Sequence, residues 1–252
     1  AGYLGAHIVR ILLEQDFQPI IVDDLSSGSA SYVPEGQSFC VQDFGDVHAL
    51  ADILERHDIQ AIIHLAAVPR TEAGDRNPLS YYQQHMQKTL MLLQQCRVRS
   101  IRHFVYCSDM NVYGQAEEEI VHEHLPCQST LSYFKTVAMV EELLTDFSAA
   151  ESQFTAVSLR CANLMGSEPG WNISPRQESE DVASRLAKVV LDEDAVFDLE
   201  AVSYPTPDGT AILDYIHPYD AAMLHCLALK YLIEGGESTI MNCGSGQGYS
   251  TQ

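Results

Sequence analysis

The sequence predicts an α/β fold, a doubly wound parallel sheet with helices on both faces, and two observations carry that prediction. Short apolar runs alternate with amphipathic stretches long enough to cross from one strand to the next. A glycine pair opens the first amphipathic stretch, and an acidic pair closes the apolar run that follows it. That order is the signature of a phosphate-binding turn followed by a ribose-binding acid. A chain of 252 residues, 46% hydrophobic and 8% aromatic, can bury one large core with a small appended lobe.

In chain order, AGYLGAHIVRILLEQ runs from glycines into a helix with Ile8, Leu12 and Leu13 on one side, and PIIVDD reads as a buried strand. The alternation continues through the helix ALADILERHD, the strand QAIIHLAA, a helix from about Pro78 to Cys96, the strand RHFVYCS, a helix from about Leu131 to Ala149 and the strand FTAVSLR. Strands near 19 to 23, 60 to 66 and 101 to 107 should run parallel, with Asp23 and Ser108 at carboxyl ends on one side, where such folds bind ligands. After Arg160 the pattern loosens. Gly166, Pro169, Gly170 and Pro175 mark a loop, and a helical stretch follows near Asp181 to Leu191. Residues 1 to 165 are therefore expected to form a dinucleotide-binding domain, and 166 to 252 a substrate-facing lobe interleaved with the last sheet strands.

Charge narrows the partners. With 14 Lys and Arg against 35 Asp and Glu the formal charge is -21, which disfavours nucleic acid and anionic membrane surfaces. No apolar stretch approaches the roughly 20 residues of a membrane span. The cysteines (Cys40, Cys96, Cys107, Cys127, Cys161, Cys226 and Cys243) are scattered and form no CxxC, so they read as buried free thiols in a reducing cytoplasm, and no metal is expected.

Gly2 and Gly5 stand at the start of the first helix, where backbone amides can meet a pyrophosphate. Asp23 and Asp24 end the next strand, where an acid accepts hydrogen bonds from a ribose and repels a 2'-phosphate. NAD is thereby favoured over NADP. A plain turn and a polar strand end are the bland readings of the same residues.

The segments GYLG, IVDDLSS, Asp43 in VQDF, IIHLAA, NPLSYY, VYCSDMNVYG, SYFKTVAMVEELLTD, LRCAN, YPTPDGT, LDYIHPYDAA and NCGSGQGYS occur in the order of the UDP-glucose 4-epimerases. The chain resembles that family, a branch of the extended short-chain dehydrogenases with a Rossmann-type fold, along essentially its whole length. The resemblance implies a bound NAD, a Tyr-x-x-x-Lys pair, a UDP-sugar substrate whose C4 is oxidised and reduced again, and a homodimer. It places Gly2, Tyr3, Leu4 and Gly5 at the phosphate turn, Asp23, Asp24, Leu25, Ser26, Ser27 and Gly28 around the ribose, Asp43 and Phe44 beside the adenine, and Leu65, Ala66 and Ala67 under the dinucleotide. It also puts Pro69 at a family lysine and Gln84 at a family asparagine. Against the family, the chain should lack a first strand ahead of Gly2 and the end of the substrate lobe.

The catalytic positions depart further. Tyr133 falls on the family tyrosine and should contact cofactor and substrate. Four residues on, where the family has lysine, stands Val137, so nothing should lower the tyrosine's pKa from about 10. Lys135 is no substitute, because two residues along a helix point to nearly opposite faces. The family serine is Asp109, a candidate proton acceptor, and the family threonine is Asn111. Asn163 remains at a UDP-sugar contact, but the family arginine is Leu213 and paired asparagines become Glu180 and Asp181. Losing an arginine removes a bidentate partner for phosphate.

Other features carry less. His122 and His124 lack further ligand spacing, Asn172-Ile-Ser is a sequon without a secretory context, Ser108 has no GxSxG setting, and His64 reads as a satisfied buried histidine. A sugar-nucleotide dehydratase would want an acid pair where Met110 and Asn111 stand. Two readings remain: an epimerase with poor or absent turnover, and an inactive NAD-binding relative serving as a binding or regulatory module or a decayed fragment.

Overall fold

The structure, a computed structural model, describes residues 1–66, 70–116, 118, 120–175, 182–191 and 204–251. Its first element, α1 (Tyr3–Glu14), buries Leu4, Ile8, Ile11 and Leu12, spaced to line one face of a helix. The strand β1 (Ile20–Asp23) pairs in parallel with β2 (Ser38–Val41), and α2 (Val47–Arg56) follows, capped by Asp46 accepting from His48 N and Ala49 N at 3.1 Å each. After β3 (Ala61–His64) come α3 (Glu72–Arg76) and α4 (Leu79–Tyr81), which runs through a π-turn at Tyr82–Gln87 into α5 (Lys88–Arg99). Then follow β4 (His103–Asp109), α6 (Ser132–Ala150) and β5 (Thr155–Cys161).

The remaining elements are β6 (Asn163–Leu164), α7 (Val182–Leu191), β7 (Ile212–Ile216), α8 (Pro218–Ile233), β8 (Thr239–Cys243) and β9 (Gly248–Ser250). Four strands form a parallel sheet in the order β3-β4-β5-β8. Within it, side chains alternate between two cores. Phe104, Tyr106 and Ala156 face α2, α5 and α6, while Val105, Val157 and Leu159 face α1 and α8. A sheet covered on both faces by helices is the doubly wound arrangement expected from the alternating pattern.

In the later part β7 pairs with β9 antiparallel while β6 pairs with β7 parallel. Two details differ from the sequence reading. The strand β2 was not anticipated, since SFCV is only 4 residues long and half exposed. The β1-β2 pair is also separate from the four-stranded sheet. A cavity of about 1770 Å³ opens beside α1, β1 and β3, and no strand precedes α1 among the described residues. From the later part, β8 joins β5 in the main sheet, and α8 packs on α1.

Candidate active site

The turn ahead of α1 is open. Gly2 is its N-cap and offers no side-chain cap, and a Cβ added there would meet nothing within 4 Å. Uncapped amides at a helix N-terminus attract an anion. Gly5 packs toward the Cδ1 of Leu65 at 3.4 Å, measured from an added Cβ. Asp23 closes β1, and its carboxylate accepts from Ala1 N at 2.7 Å and Leu25 N at 2.8 Å. Each carboxylate oxygen keeps capacity for a further hydrogen bond, and Asp23 borders the cavity. Asp24 accepts from Ser26 N at 2.9 Å, and Leu25 between them holds a left-handed φ of 61. Gly28 is required where it stands, because a Cβ there would lie 2.9 Å from the Ala1 backbone and from Asp23 Oδ1.

The far wall carries the other expected cofactor residues. Asp43 is gripped by Lys88 Nζ at 2.8 Å from each oxygen and by Gly45 N at 2.8 Å. Burial pushes its carboxyl up, but these donors outweigh the penalty and hold it below the usual range. Lys88 Nζ also lies 5.4 Å over the Phe44 ring. Gln84 sits on the π-turn, a local distortion often found at functional sites, and reaches the same cavity. Gly2, Tyr3, Leu4, Gly5, Asp23 and Asp24 line that cavity. So do Ser26, Ser27, Asp43, Phe44, Leu65 and Ala66. Leu25 and Gly28 do not line it. Ala67 and Pro69 lie outside the described residues, as do Glu180 and Asp181.

Tyr133, on the first turn of α6, is ringed by aromatics: Tyr81 at 5.2 Å, His85 at 5.0 Å and Phe134 at 5.0 Å between centroids. Burial, and after it the Asp109 carboxylate, drive its phenol well above the ordinary value. Among the described residues no cation compensates. Val137 is 3% exposed within the α6 core, Lys135 is exposed, and burial pushes His85 down to about 4, so its ring is neutral. Asp109 ends β4 and accepts from Asn111 N at 2.7 Å and Asn111 Nδ2 at 2.8 Å. Burial raises its carboxyl to about 6 despite those two donors. Asn163 donates to the Asp214 carbonyl at 3.2 Å, and Leu213 pairs with Tyr249 in the β7-β9 ladder.

Beneath these groups lies an ion-pair network that the sequence did not announce. Glu141 and Arg160, 2% and 4% exposed, pair at 2.7 Å through Oε2 and Nη2, with a second contact of 3.0 Å through Oε1 and Nε. The Ser108 hydroxyl donates to Glu141 Oε1, so this serine is held inward and away from nucleophilic work. Arg160 Nη1 reaches Tyr113 OH at 2.8 Å, and that hydroxyl donates to Asn242 Oδ1 at 2.6 Å. His64 is satisfied by Thr89 Oγ1 at 3.1 Å, while His122 and His124 are exposed and stack on each other at 5.6 Å.

A family model described as the NAD dependent epimerase/dehydratase family matches residues 1–244. The UDP-glucose 4-epimerase of Azospirillum brasilense is 32% identical over 256 residues, covering 100% of this chain and 72% of that protein. The chain belongs to the UDP-glucose 4-epimerase family. Solved family members superpose closely. The Brucella ovis UDP-glucose 4-epimerase in complex with NAD is 29% identical at a TM-score of 0.91, covering 100% of this chain and 77% of that one. The Bifidobacterium longum UDP-glucose 4-epimerase in complex with NAD+ and UDP is 26% identical at a TM-score of 0.89, covering 100% and 78%.

Seen as an epimerase-family chain, the site divides in two. The family is NAD-dependent, and the glycine turn, the acids after β1 and the Asp43 wall are all in place around one cavity. At the other end, Val137, Asp109 and Leu213 stand as the sequence has them, and no neighbouring side chain among the described residues brings a cation to Tyr133. Among the described residues no helix is long and apolar enough to cross a membrane.

Proposed function

We propose that this chain binds NAD between the glycine turn ahead of α1 and the end of β1, and turns over UDP-sugars poorly or not at all. The observation that carries the reading is Tyr133, packed among rings with its phenol pushed up and, among the described residues, no ammonium near it. NAD, when bound, supplies a hydride acceptor and donor for C4 of the hexose. The chain's own part would be to take the proton from the C4 hydroxyl, and Tyr133 stays protonated at neutral pH. Asp109 is the second acceptor in reach, but a carboxylate there repels the diphosphate of a UDP-sugar. Leu213 offers that diphosphate no charge.

The residues fit the dinucleotide itself. Gly2 leaves open space before α1, Gly28 lets the following loop pack against Ala1 and Asp23, and Asp23 keeps acceptor capacity for ribose hydroxyls. A 2'-phosphate would face Asp23 and Asp24 directly. Calorimetric titration should therefore give tighter binding of NAD than of NADP; equal affinities would end the assignment of Asp23.

A coupled assay of UDP-glucose formed from UDP-galactose tests turnover. Loss of general base assistance and of the charge that supports it is worth about 10² to 10⁴ in rate, and Val137→Lys alone should restore little because Asp109 and Leu213 still oppose the substrate. The combined change Val137→Lys, Asp109→Ser and Leu213→Arg should recover measurable interconversion. Family-level turnover by the unmodified chain would overturn the reading. The same site then serves NAD binding without chemistry, the alternative in which the chain is a binding or regulatory module. The domain division at residue 165 and a homodimer remain part of the proposal, and gel filtration tests the second.

A further inference from the structure

The cysteines that look scattered in the sequence converge in space. Cys107 near the end of β4, Cys161 at the end of β5 and His225 on α8 place one ligand atom each within 4.8 Å of one another. The sulfurs of Cys107 and Cys161 are 3.7 Å apart. A tetrahedral site with metal–sulfur bonds of about 2.3 Å has sulfur–sulfur edges of about 3.8 Å, whereas a disulfide needs about 2.05 Å. Cys243 is the direct ladder partner of Cys161 and is fully buried.

The decisive atom belongs to His225. Its side chain is 0% exposed, and its Nδ1 lies 2.7 Å from the Ala221 carbonyl oxygen. Only a protonated Nδ1 can make that bond, which leaves Nε2 with its lone pair. Nε2 is buried and has no hydrogen-bond partner. An unpaired buried acceptor costs about 1–3 kcal/mol, and the group this nitrogen faces is the Cys107 sulfur. Fixing one imidazole nitrogen on a carbonyl so that the other presents its lone pair is how proteins orient a histidine toward a metal.

We propose that Cys107, Cys161 and His225, whose ligand atoms already converge, take up a thiolate-seeking divalent cation, zinc first, with Cys243 beside Cys161 drawn in as the fourth ligand, tying the carboxyl ends of β4, β5 and β8 to α8. Three cysteines and one histidine are an established structural zinc set. Binding replaces each coordinating S–H proton by a metal–sulfur bond and releases the protons to solvent. The site uses none of the residues assigned to NAD or the UDP-sugar, although Cys107 also borders the large cavity.

The test uses the full chain, stripped of metal by chelator under reductant and titrated with cobalt(II) chloride alone. A sulfur-to-cobalt charge-transfer band and visible tetrahedral bands should grow to one equivalent and then be abolished by zinc chloride. Competition with a chromophoric chelator gives the zinc affinity, which Cys161→Ser and His225→Gln should each lower by about 100-fold or more, the upper end of what even outer-shell losses cost. Cys40→Ser on β2, away from the cluster, should change nothing. Absence of the bands in a chain that retains its far-ultraviolet dichroism overturns the site, and this readout needs no variant to fold. Zinc binding unaltered by Cys161→Ser, or a Cys107–Cys161 disulfide in chain purified without air, overturns it equally.

Discussion

At the scale of single residues, Asp109 shows how one substitution changes both chemistry and stability. Burial raises its carboxyl from the ordinary 3.8 to about 6, so the folded state holds a proton that the unfolded chain releases sooner. The sign follows from linkage: folding is fully favoured by this group below about 3.8, and the advantage is lost as pH rises through about 6. Above that, a charged Asp109 opposes the fold. Asp109→Asn keeps an oxygen for the two Asn111 donors and removes the charge, and should stabilise the chain at pH 8 by about 1–2 kcal/mol after allowance for partial solvent exposure. Urea unfolding should show the gain vanish at pH 4. A constant gain at both pH values would mean that burial of charge is not the cause.

Elements meet at the Arg160–Glu141 pair, which joins β5 to α6 and, through Ser108, Tyr113 and Asn242, to β4 and β8. Arg160→Met strands Glu141 at 2% exposure, and breaking a buried pair from one side costs about 3–5 kcal/mol. Removing both charges with Glu141→Gln added should cost clearly less, and a double-mutant cycle in denaturant measures the difference; additive losses would sink the coupling. This network also marks the limit of what sequence reading reaches. Alternation of apolar runs with amphipathic stretches announces β1, β3, β4, β5 and the helices between them, because burial on two faces leaves a local pattern. The glycine turn and Asp23 are legible for the same reason, being close in the chain. Arg160 with Glu141, and Cys161 with Cys243 and His225, are neighbours only through strand order and helix packing, and no spacing along the chain encodes them. The short β2 and the β7-β9 pair escaped because half-exposed strands of 3 to 5 residues carry too little alternation to register.

The whole molecule acts on its ligands through its charge of -21. The cavity has Lys88, Arg99 and Arg102 on its walls, but also Asp16, Asp23, Asp24, Asp43 and Asp58, and Lys88 is spent on Asp43. An anionic dinucleotide must therefore enter against the field, relying on the helix dipole of α1 at close range. Most protein–anion pairs weaken as salt is added. Here the long-range part is repulsive, and screening relieves it. For a charge of this size on a body of about 23 Å radius, raising salt from about 0.02 to 0.15 M lowers the repulsion by about 1 kcal/mol per unit of ligand charge. NAD should accordingly bind about fivefold more tightly at the higher salt, and a UDP-sugar, with more charge, should gain more. Calorimetry across a sodium chloride series reads this directly. Binding that weakens steadily with salt would show that a local cation in the cavity, with Arg99 and Arg102 the first to replace, governs the ligand more than the net charge does.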